Sequence, residues 1–407
     1  MQAKQPSPRT GTLAALLALS ACSSSTADTS FVADDAGPGT GADVAEPDSQ
    51  RVAAKDAAAP ADSSDSGSAS PLGADAGADS SSVLVVDASS DALADETGPS
   101  LGLGDGGPCG VLPVNPKATQ QAKNLLCYLY SQYGNHVLAG QQETSWSNPD
   151  EGINYIFTNT GKYPVVRGGD FLYPNGTTAR AQAWWTAGGI PMLCYHMGAP
   201  PQSDTYAASM TGAAGGINAV LTPGTASNAS FMQKLDYAAG ELLKLQAANV
   251  AVLWRPFHEA QGNWFWWSKE TGAQYVRLWT FMYDYFTNTK GLNNLVWLHP
   301  YDGTPQSSFY PGKAYVDIGG ADTYSTNQPF ASLFATTRGI VGTTVPIALH
   351  ENGAMPNPAS MFAGNAAPWL LFNTWPGFIT SANSLAFVKS VYANPSTVTR
   401  DRVPSLK

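Results

Sequence analysis

Short apolar runs alternate with amphipathic segments along the chain from residue 117 to residue 375. The clearest helical spacing lies at residues 117–133, 180–187, 231–248 and 274–287, and the paired glycines 188–189 supply a helix stop. The pattern places no helix between residues 305 and 338. Eight runs have the length and composition of buried strands: residues 136–140, 164–169, 190–196, 250–259, 295–299, 316–322, 346–351 and 369–375.

Eight strand-like runs with helices between them predict a parallel (β/α)8 barrel, the TIM barrel architecture. A doubly wound open sheet is the alternative. That fold is disfavoured because no early strand is followed by a GxGxxG segment or a P-loop.

Composition divides the chain into three parts. Residues 1–22 have two basic residues, a short apolar core and then small residues, which is the pattern of an export signal. Residues 23–107 contain 16 acidic and two basic residues and no Trp, Tyr or His. Because such a segment cannot bury enough apolar surface to fold, we expect a disordered tether. Residues 108–407 hold all eleven Trp and form the predicted barrel domain.

The export signal ends in Leu19-Ser20-Ala21-Cys22, which resembles the lipobox of bacterial lipoproteins. In that motif the Cys becomes the acylated first residue of the mature protein. The resemblance implies a membrane anchor at Cys22 and a location at the cell surface or outer membrane, with release into the medium as a further outcome. An ordinary secretory signal with an incidental Cys is the alternative.

Charge and cysteines limit the function classes. The net charge of −10 belongs to the tether, because residues 108–407 hold 17 basic and 15 acidic residues, so we expect no nucleic-acid surface. Cys109 and Cys127 are candidates for a disulfide, which the sequence leaves open, and Cys194 is expected as a buried thiol. No CxxC or HExxH spacing occurs, so we expect no metal and no cofactor.

Two glutamates end apolar runs on opposite sides of the predicted barrel mouth. Of the six Glu in residues 108–407, only Glu259 and Glu351 complete runs four and seven. Side chains at the carboxyl ends of barrel strands converge on one cleft. Two facing carboxyl groups are what glycosidic bond cleavage requires, one as proton donor and the other as ionised nucleophile or support.

The segment around Glu259 resembles the acid/base region of glycoside hydrolase family 26, whose members are mostly endo-β-1,4-mannanases. The resemblance extends over about residues 111–407. It rests on RPFHEAQGNWFWW at 255–267, VLAGQQ at 137–142, TGKYP at 160–164, RGGD at 167–170, WWTAGGI at 184–190, YVDI at 315–318, DTY at 322–324 and PIALHENG at 346–353.

The resemblance implies a retaining, double-displacement reaction with Glu259 as general acid/base and Glu351 as nucleophile. Arg255 and His258 would orient the carboxylates, and Tyr324 would donate a hydrogen bond to the nucleophile. We expect burial and the second carboxylate to raise the pKa of Glu259.

The resemblance also implies sugar contacts. His196 and Trp264 match positions near the reacting sugar, and Trp375 matches an aromatic residue after strand eight. Asn263 and Gln261 are candidate partners for sugar hydroxyls. The chain departs from relatives at Asn263, and its loop 197–206 lacks an obvious Trp, so subsite preferences are less defined than the reaction.

Two further tryptophans, Trp266 and Trp267, are expected to pack beneath the loop rather than bind sugar. The implied substrate is a β-mannan polymer or oligosaccharide, and we expect a monomer. The alternatives are a hydrolase of β-1,3-xylan or mixed-linkage β-glucan, a phosphorylase or transglycosylase with the same carboxyl pair, and a non-catalytic glycan-binding lipoprotein.

Overall fold

The structure is a computed structural model that describes residues 109–407. The predicted export signal, the acylation of Cys22 and the tether at residues 23–107 lie outside the described residues. Within residues 109–407, no helix has both the length and the apolar character needed to cross a membrane.

Eight parallel strands close into a barrel, because each strand pairs with the next along the chain and the eighth pairs with the first. A ninth, two-residue strand joins the amino-terminal end of the first. The (β/α)8 prediction is therefore confirmed. The strands are β1 Val137–Gln142, β2 Val166–Asp170, β3 Ile190–Cys194, β4 Val252–Trp254, β5 Leu295–Pro300, β6 Ile318–Thr323, β7 Ile347–Asn352, β8 Leu371–Thr374 and β9 Thr397–Val398.

Helices separate the strands. Threonine side chains cap several of them, as where Thr271 and Gln274 form a reciprocal capping box. The α-helices are α1 Gln120–Gln132, α2 Glu151–Thr160, α3 Thr177–Thr186, α4 Tyr206–Ser209, α5 Gly216–Val220, α6 Ala226–Ala247, α7 Gly272–Asp284, α8 Ala331–Val341, α9 Pro358–Phe362, α10 Phe378–Ser381 and α11 Leu385–Ala393. Short 3₁₀ turns lie at Trp266–Ser268, Ser307–Phe309, Ala363–Asn365 and Arg400–Arg402, and a π-helical turn Tyr285–Thr289 extends α7.

Burial explains the composition of the strands. Every residue of β1 to β5 is buried, as expected for a parallel sheet covered by helices outside and side chains inside. Close strand contact also constrains Gly140 in β1, where a Cβ would lie 2.4 Å from the carbonyl oxygen of Phe372. A larger residue there would push β8 away from β1.

Two cysteines connect the start of the described chain to the first helix. Cys109 and Cys127 form a disulfide with a Cα–Cα distance of 5.6 Å, and this bond ties the entry segment to α1. The pairing that the sequence left open is thus observed. Cys194 is a buried free thiol at the end of β3, as predicted.

Strand four is much shorter than the apolar run that predicted it. The run covers residues 250–259, whereas β4 ends at Trp254. Pro256 cannot donate to a sheet ladder, and Phe257 adopts a positive φ of 48°, so the chain leaves the sheet. This departure turns the residues that follow towards the mouth of the barrel.

Candidate active site

The turn after β4 is strained and firmly held. Phe257 and Glu259 have φ values of 48° and 54°, a region that costs an L-residue about 1–2 kcal/mol. Buried hydrogen bonds fix the turn from both sides. The Tyr275 hydroxyl donates to the Phe257 carbonyl at 3.0 Å, and Trp267 Nε1 donates to the His258 carbonyl at 2.8 Å. The surrounding side chains therefore maintain a backbone shape that aims Glu259 into the cleft.

Glu351 lies near the end of β7 and accepts two hydrogen bonds from rigid donors. Arg255 Nη1 donates to its Oε2 at 2.9 Å, and the Tyr324 hydroxyl donates to its Oε1 at 2.5 Å. Arg255 is itself buried, and its Nη1 also lies 3.0 Å from His350 Nδ1. His350 Nε2 donates to the Tyr301 carbonyl at 2.8 Å, so its Nδ1 is the accepting atom. Both oxygens of Glu351 are thus held in one orientation.

Glu259 experiences a different environment from Glu351. Burial, followed by the negative charge of Glu351, raises the pKa of Glu259 to about 8. Trp264 Nε1 donates a hydrogen bond to Glu259 Oε2 from the edge of the cleft. One carboxyl group is therefore protonated near neutral pH, beside a second carboxylate held by a cation and a tyrosine.

A third carboxyl group, Asp322, adjoins the pair. The pairing of β6 with β7 shifts register after Ala321, which places Asp322 opposite Glu351 in the sheet. Asp322 is buried, and its burial together with the charges of Glu259 and Glu351 raises its pKa well above the ordinary value. The sequence marked Asp322 as the end of run six and as part of the DTY motif. It did not predict that Asp322 lies beside Glu351, because that pairing depends on the register shift.

The cleft brings together most of the predicted site residues. Arg255 lies behind the cleft against Glu351, whereas Asn263 is exposed and is not part of the lining. Gln261 is buried and donates to Asp302. The cleft is lined by His196, Tyr206, His258, Glu259, Trp264, Phe265, Tyr324, Glu351 and Trp375.

Tyr206 and Phe265 are lining residues that the sequence did not identify. Their rings lie 5.3 Å and 5.1 Å from the ring of His196. Trp266 and Trp267, by contrast, are buried beneath the loop as predicted, and Trp266 Nε1 donates to the Met197 carbonyl at 3.1 Å.

A second pocket adjoins the cleft and shares three of its lining residues, His196, Tyr206 and Trp375. Trp146, which follows β1, forms its outer aromatic surface, with ring centroids 6.0 Å from Tyr173 and 6.2 Å from Trp375. The residues that line this pocket extend the site beyond the two glutamates. Its lining is Gln142, Ser145, Trp146, Asp170, Tyr173, His196, Tyr206 and Trp375.

Two buried groups in the described part of the chain bring metal-ligand atoms within 4.8 Å of one another: Asp170, Cys194 and His196, and Asp322, His350 and Glu351. Hydrogen bonds already use the imidazole nitrogens that face these groups. His196 Nδ1 lies 2.6 Å from Asp170, and His350 Nδ1 faces Arg255. Repulsion from the Arg255 cation would further oppose a metal beside Glu351. The expectation of no metal remains a prediction.

The cleft lies at the carboxyl ends of the barrel strands and holds two carboxyl groups in different electrostatic environments. This arrangement defines a (β/α)8 barrel protein whose chemistry uses a pair of carboxyl groups. The family model for Glycosyl hydrolase family 26 matches residues 114–402. The chain belongs to glycosyl hydrolase family 26.

Similar proteins include the mannan endo-1,4-β-mannosidase of Thermothelomyces thermophilus, which is 31% identical over 312 residues, covering 71% of this chain and 62% of that protein. The chain therefore spans less than two thirds of the length of this curated relative. The GH26-CBM35 β-(1,4)-mannanase of Podospora anserina has a similar structure, with a TM-score of 0.65, 30% identity and coverage of 72% and 69% of the two chains. A β-mannanase from a symbiotic protist of the termite Reticulitermes speratus, complexed with gluco-manno-oligosaccharide, gives a TM-score of 0.66 at 28% identity, with coverage of 72% and 98%.

Proposed function

We propose that the protein is a retaining, endo-acting glycoside hydrolase that cleaves β-1,4-mannosidic linkages in mannan, galactomannan or glucomannan. The observation that carries the proposal is the asymmetry between the two carboxyl groups of one cleft. Glu259 has a pKa raised to about 8, whereas Glu351 accepts hydrogen bonds from Arg255 and Tyr324. A protonated acid beside a hydrogen-bonded carboxylate is the arrangement that double displacement uses.

The reaction has two halves. In the first, a Glu351 oxygen attacks the anomeric carbon while Glu259 transfers its proton to the glycosidic oxygen, so that the sugar–oxygen bond breaks and a covalent glycosyl-enzyme forms. In the second, the Glu259 carboxylate takes a proton from water, the water oxygen attacks the same carbon, and Glu351 leaves with its electron pair. Two inversions return the original anomeric configuration.

The length of the site supports internal cleavage of a polymer. The lining of the second pocket continues that of the cleft past His196, Tyr206 and Trp375 and adds the ring of Trp146. Aromatic faces suit the apolar C–H surfaces of pyranose rings. The site therefore offers contacts for a sugar beyond the one at which the bond is broken, as an endo-acting enzyme requires.

Product analysis tests this function. We expect the protein to release a series of manno-oligosaccharides from galactomannan and glucomannan, and ¹H NMR of early products to show the β-anomer first. The same assay with lichenan and β-1,3-xylan tests the alternative substrates. Release of mannose alone would contradict endo action, and early α-anomer would contradict double displacement.

The raised pKa of Glu259 predicts how activity depends on pH. The group must be protonated to assist the leaving oxygen, so kcat/KM on mannopentaose is expected to fall as pH rises through about 8. A dinitrophenyl β-mannoside, whose leaving group needs little protonation, should lack this falling limb during formation of the glycosyl-enzyme. An identical limb for both substrates would contradict the assignment of the acid, provided that circular dichroism shows the fold unchanged across the range.

We further propose that the mature protein is a monomer anchored through an acyl group at Cys22 and displayed at the cell surface or outer membrane. The support is the lipobox-like end of the export signal and the tether composition of residues 23–107. Cells fed labelled palmitate should incorporate the label into the full chain and not into a Cys22→Ser variant. Equal labelling of the two would refute the anchor, and sedimentation of the detergent-solubilised protein tests the monomer.

A further inference from the structure

A buried carboxylate outside the glutamate pair is held by three hydrogen-bonding groups. Asp170, the last residue of β2, accepts the backbone N–H groups of Leu172 at 2.9 Å and His196 at 3.1 Å through Oδ1. Its Oδ2 lies 2.6 Å from His196 Nδ1. Because a carboxylate only accepts hydrogen bonds, His196 Nδ1 must carry a proton.

The proton on His196 Nδ1 determines the tautomer of a second histidine, His258. His196 Nε2 lies 2.8 Å from His258 Nε2, with the two rings nearly perpendicular at 83°. With its proton on Nδ1, a neutral His196 offers a lone pair at Nε2, so His258 donates from Nε2. An additional proton on this buried pair would place a new positive charge near Arg255. Burial, then His196 and Arg255, lower the pKa of His258 well below the ordinary value.

His258 occupies the centre of the strained turn that presents the acid. The residues on either side of it, Phe257 and Glu259, both have positive φ values. Two rings pack against the imidazole, with centroids 5.1 Å away for Phe265 and 5.6 Å away for Trp267, but such contacts do not select which ring nitrogen faces His196. The bond to His196 is directional, and it fixes the rotation of the ring and with it the turn.

We propose that Asp170 is a positioning residue, which acts through His196 and His258 to hold the turn that carries Glu259. His196 then has both ring nitrogens occupied, and it serves as a link between Asp170 and His258 rather than as a hydrogen-bonding partner of the sugar. The effect on turnover rests on the proposed hydrolase function, whereas the hydrogen-bonding pattern does not.

The protonation pattern of His196 and His258 can be measured without substrate. In the wild-type chain labelled with ¹⁵N-histidine, long-range ¹H–¹⁵N spectra assign a tautomer to each of the five histidines, with single His→Gln variants for assignment. We expect His196 protonated only at Nδ1 and His258 only at Nε2. A doubly protonated His196, or the opposite tautomers, would overturn the proposal. This measurement needs no variant of Asp170 to fold.

Turnover supplies the second test, with a matched control. Asp170→Asn is expected to lower kcat by about 10²-fold with little change in KM, on the scale of a misplaced catalytic group, and to change the His258 tautomer signals. Asp317 is an equally buried aspartate just before β6, which accepts the backbone N–H groups of Val114 and Trp297 at 2.7 Å and 2.8 Å. Asp317→Asn should lower stability but leave kcat and the His258 signals unchanged.

Two results would reject the positioning role. One is a wild-type kcat in Asp170→Asn, and the other is an equal loss of kcat in both Asn variants, because the effect would then be a general loss of fold. If the wild-type protein cleaves no β-mannan, the hydrolase proposal fails while the tautomer spectra still decide the hydrogen-bonding pattern.

Discussion

Replacing Glu351 by Ala is expected to lower kcat by about 10⁴-fold or more, as when a nucleophile is removed from a group of residues that act together. Glu259→Ala should lower kcat on unactivated mannan by about 10²–10⁴-fold, the usual contribution of general acid–base catalysis. The two losses differ in kind, because Glu351 forms the bond to the sugar and Glu259 only moves protons.

Azide separates the two roles. With a dinitrophenyl β-mannoside, Glu259→Ala should still form the glycosyl-enzyme, and azide should restore turnover and yield a β-mannosyl azide. Glu351→Ala lacks the nucleophile and cannot give that retained product. Glu151→Ala, at an exposed position in the first turn of α2, is the matched control and should keep wild-type activity. Near-wild-type turnover by either catalytic variant, or a β-azide from Glu351→Ala, would refute the assignment.

The strands and long helices could be predicted because burial imposes a pattern on them. Each of the eight apolar runs overlaps one strand of the barrel, since a parallel sheet covered on both faces favours continuous apolar residues. Short elements carry no such pattern. The ninth strand has two residues, and the four-residue helices α4 and α10 lie in loops, where tertiary contacts decide the path.

The sequence predicted the two reacting carboxyl groups of the site better than the residues that line the cleft around them. Glu259 and Glu351 stand out because charged residues rarely end apolar runs without a role. Tyr206 could not be placed, because it reaches the cleft through the path of the loop between β3 and α4. Asn263 was predicted near the sugar, but its positive φ of 62° lies in a turn that leaves it exposed, so its contact with substrate remains a prediction.

Arg255→Met is expected to cost about 3–5 kcal/mol of folding free energy and to reduce kcat severely, because it leaves Glu351 buried without its cation. Arg255 and Glu351 are each at most 3% exposed at the side chain and lie 2.9 Å apart. Arg255→Lys should rescue only part of this loss, since one ammonium on a shorter stem cannot easily reach both Glu351 and His350.

A double-mutant cycle with Glu351→Gln tests whether the two residues stabilise the fold as a pair. Urea unfolding at constant pH should show that Arg255→Met costs much less in the Glu351→Gln background, because the buried charge that it would strand has already been removed. Arg400→Met is the control, since Arg400 stacks between the rings of Tyr163 and Trp184 at 4.1 Å and 4.3 Å, outside the lining of the cleft. Arg400→Met should lower the free energy of unfolding by the same amount in the wild-type and Glu351→Gln backgrounds. Additive costs for Arg255→Met and Glu351→Gln would mean that the guanidinium does not stabilise the nucleophile, and the electrostatic basis of the proposed mechanism would be wrong.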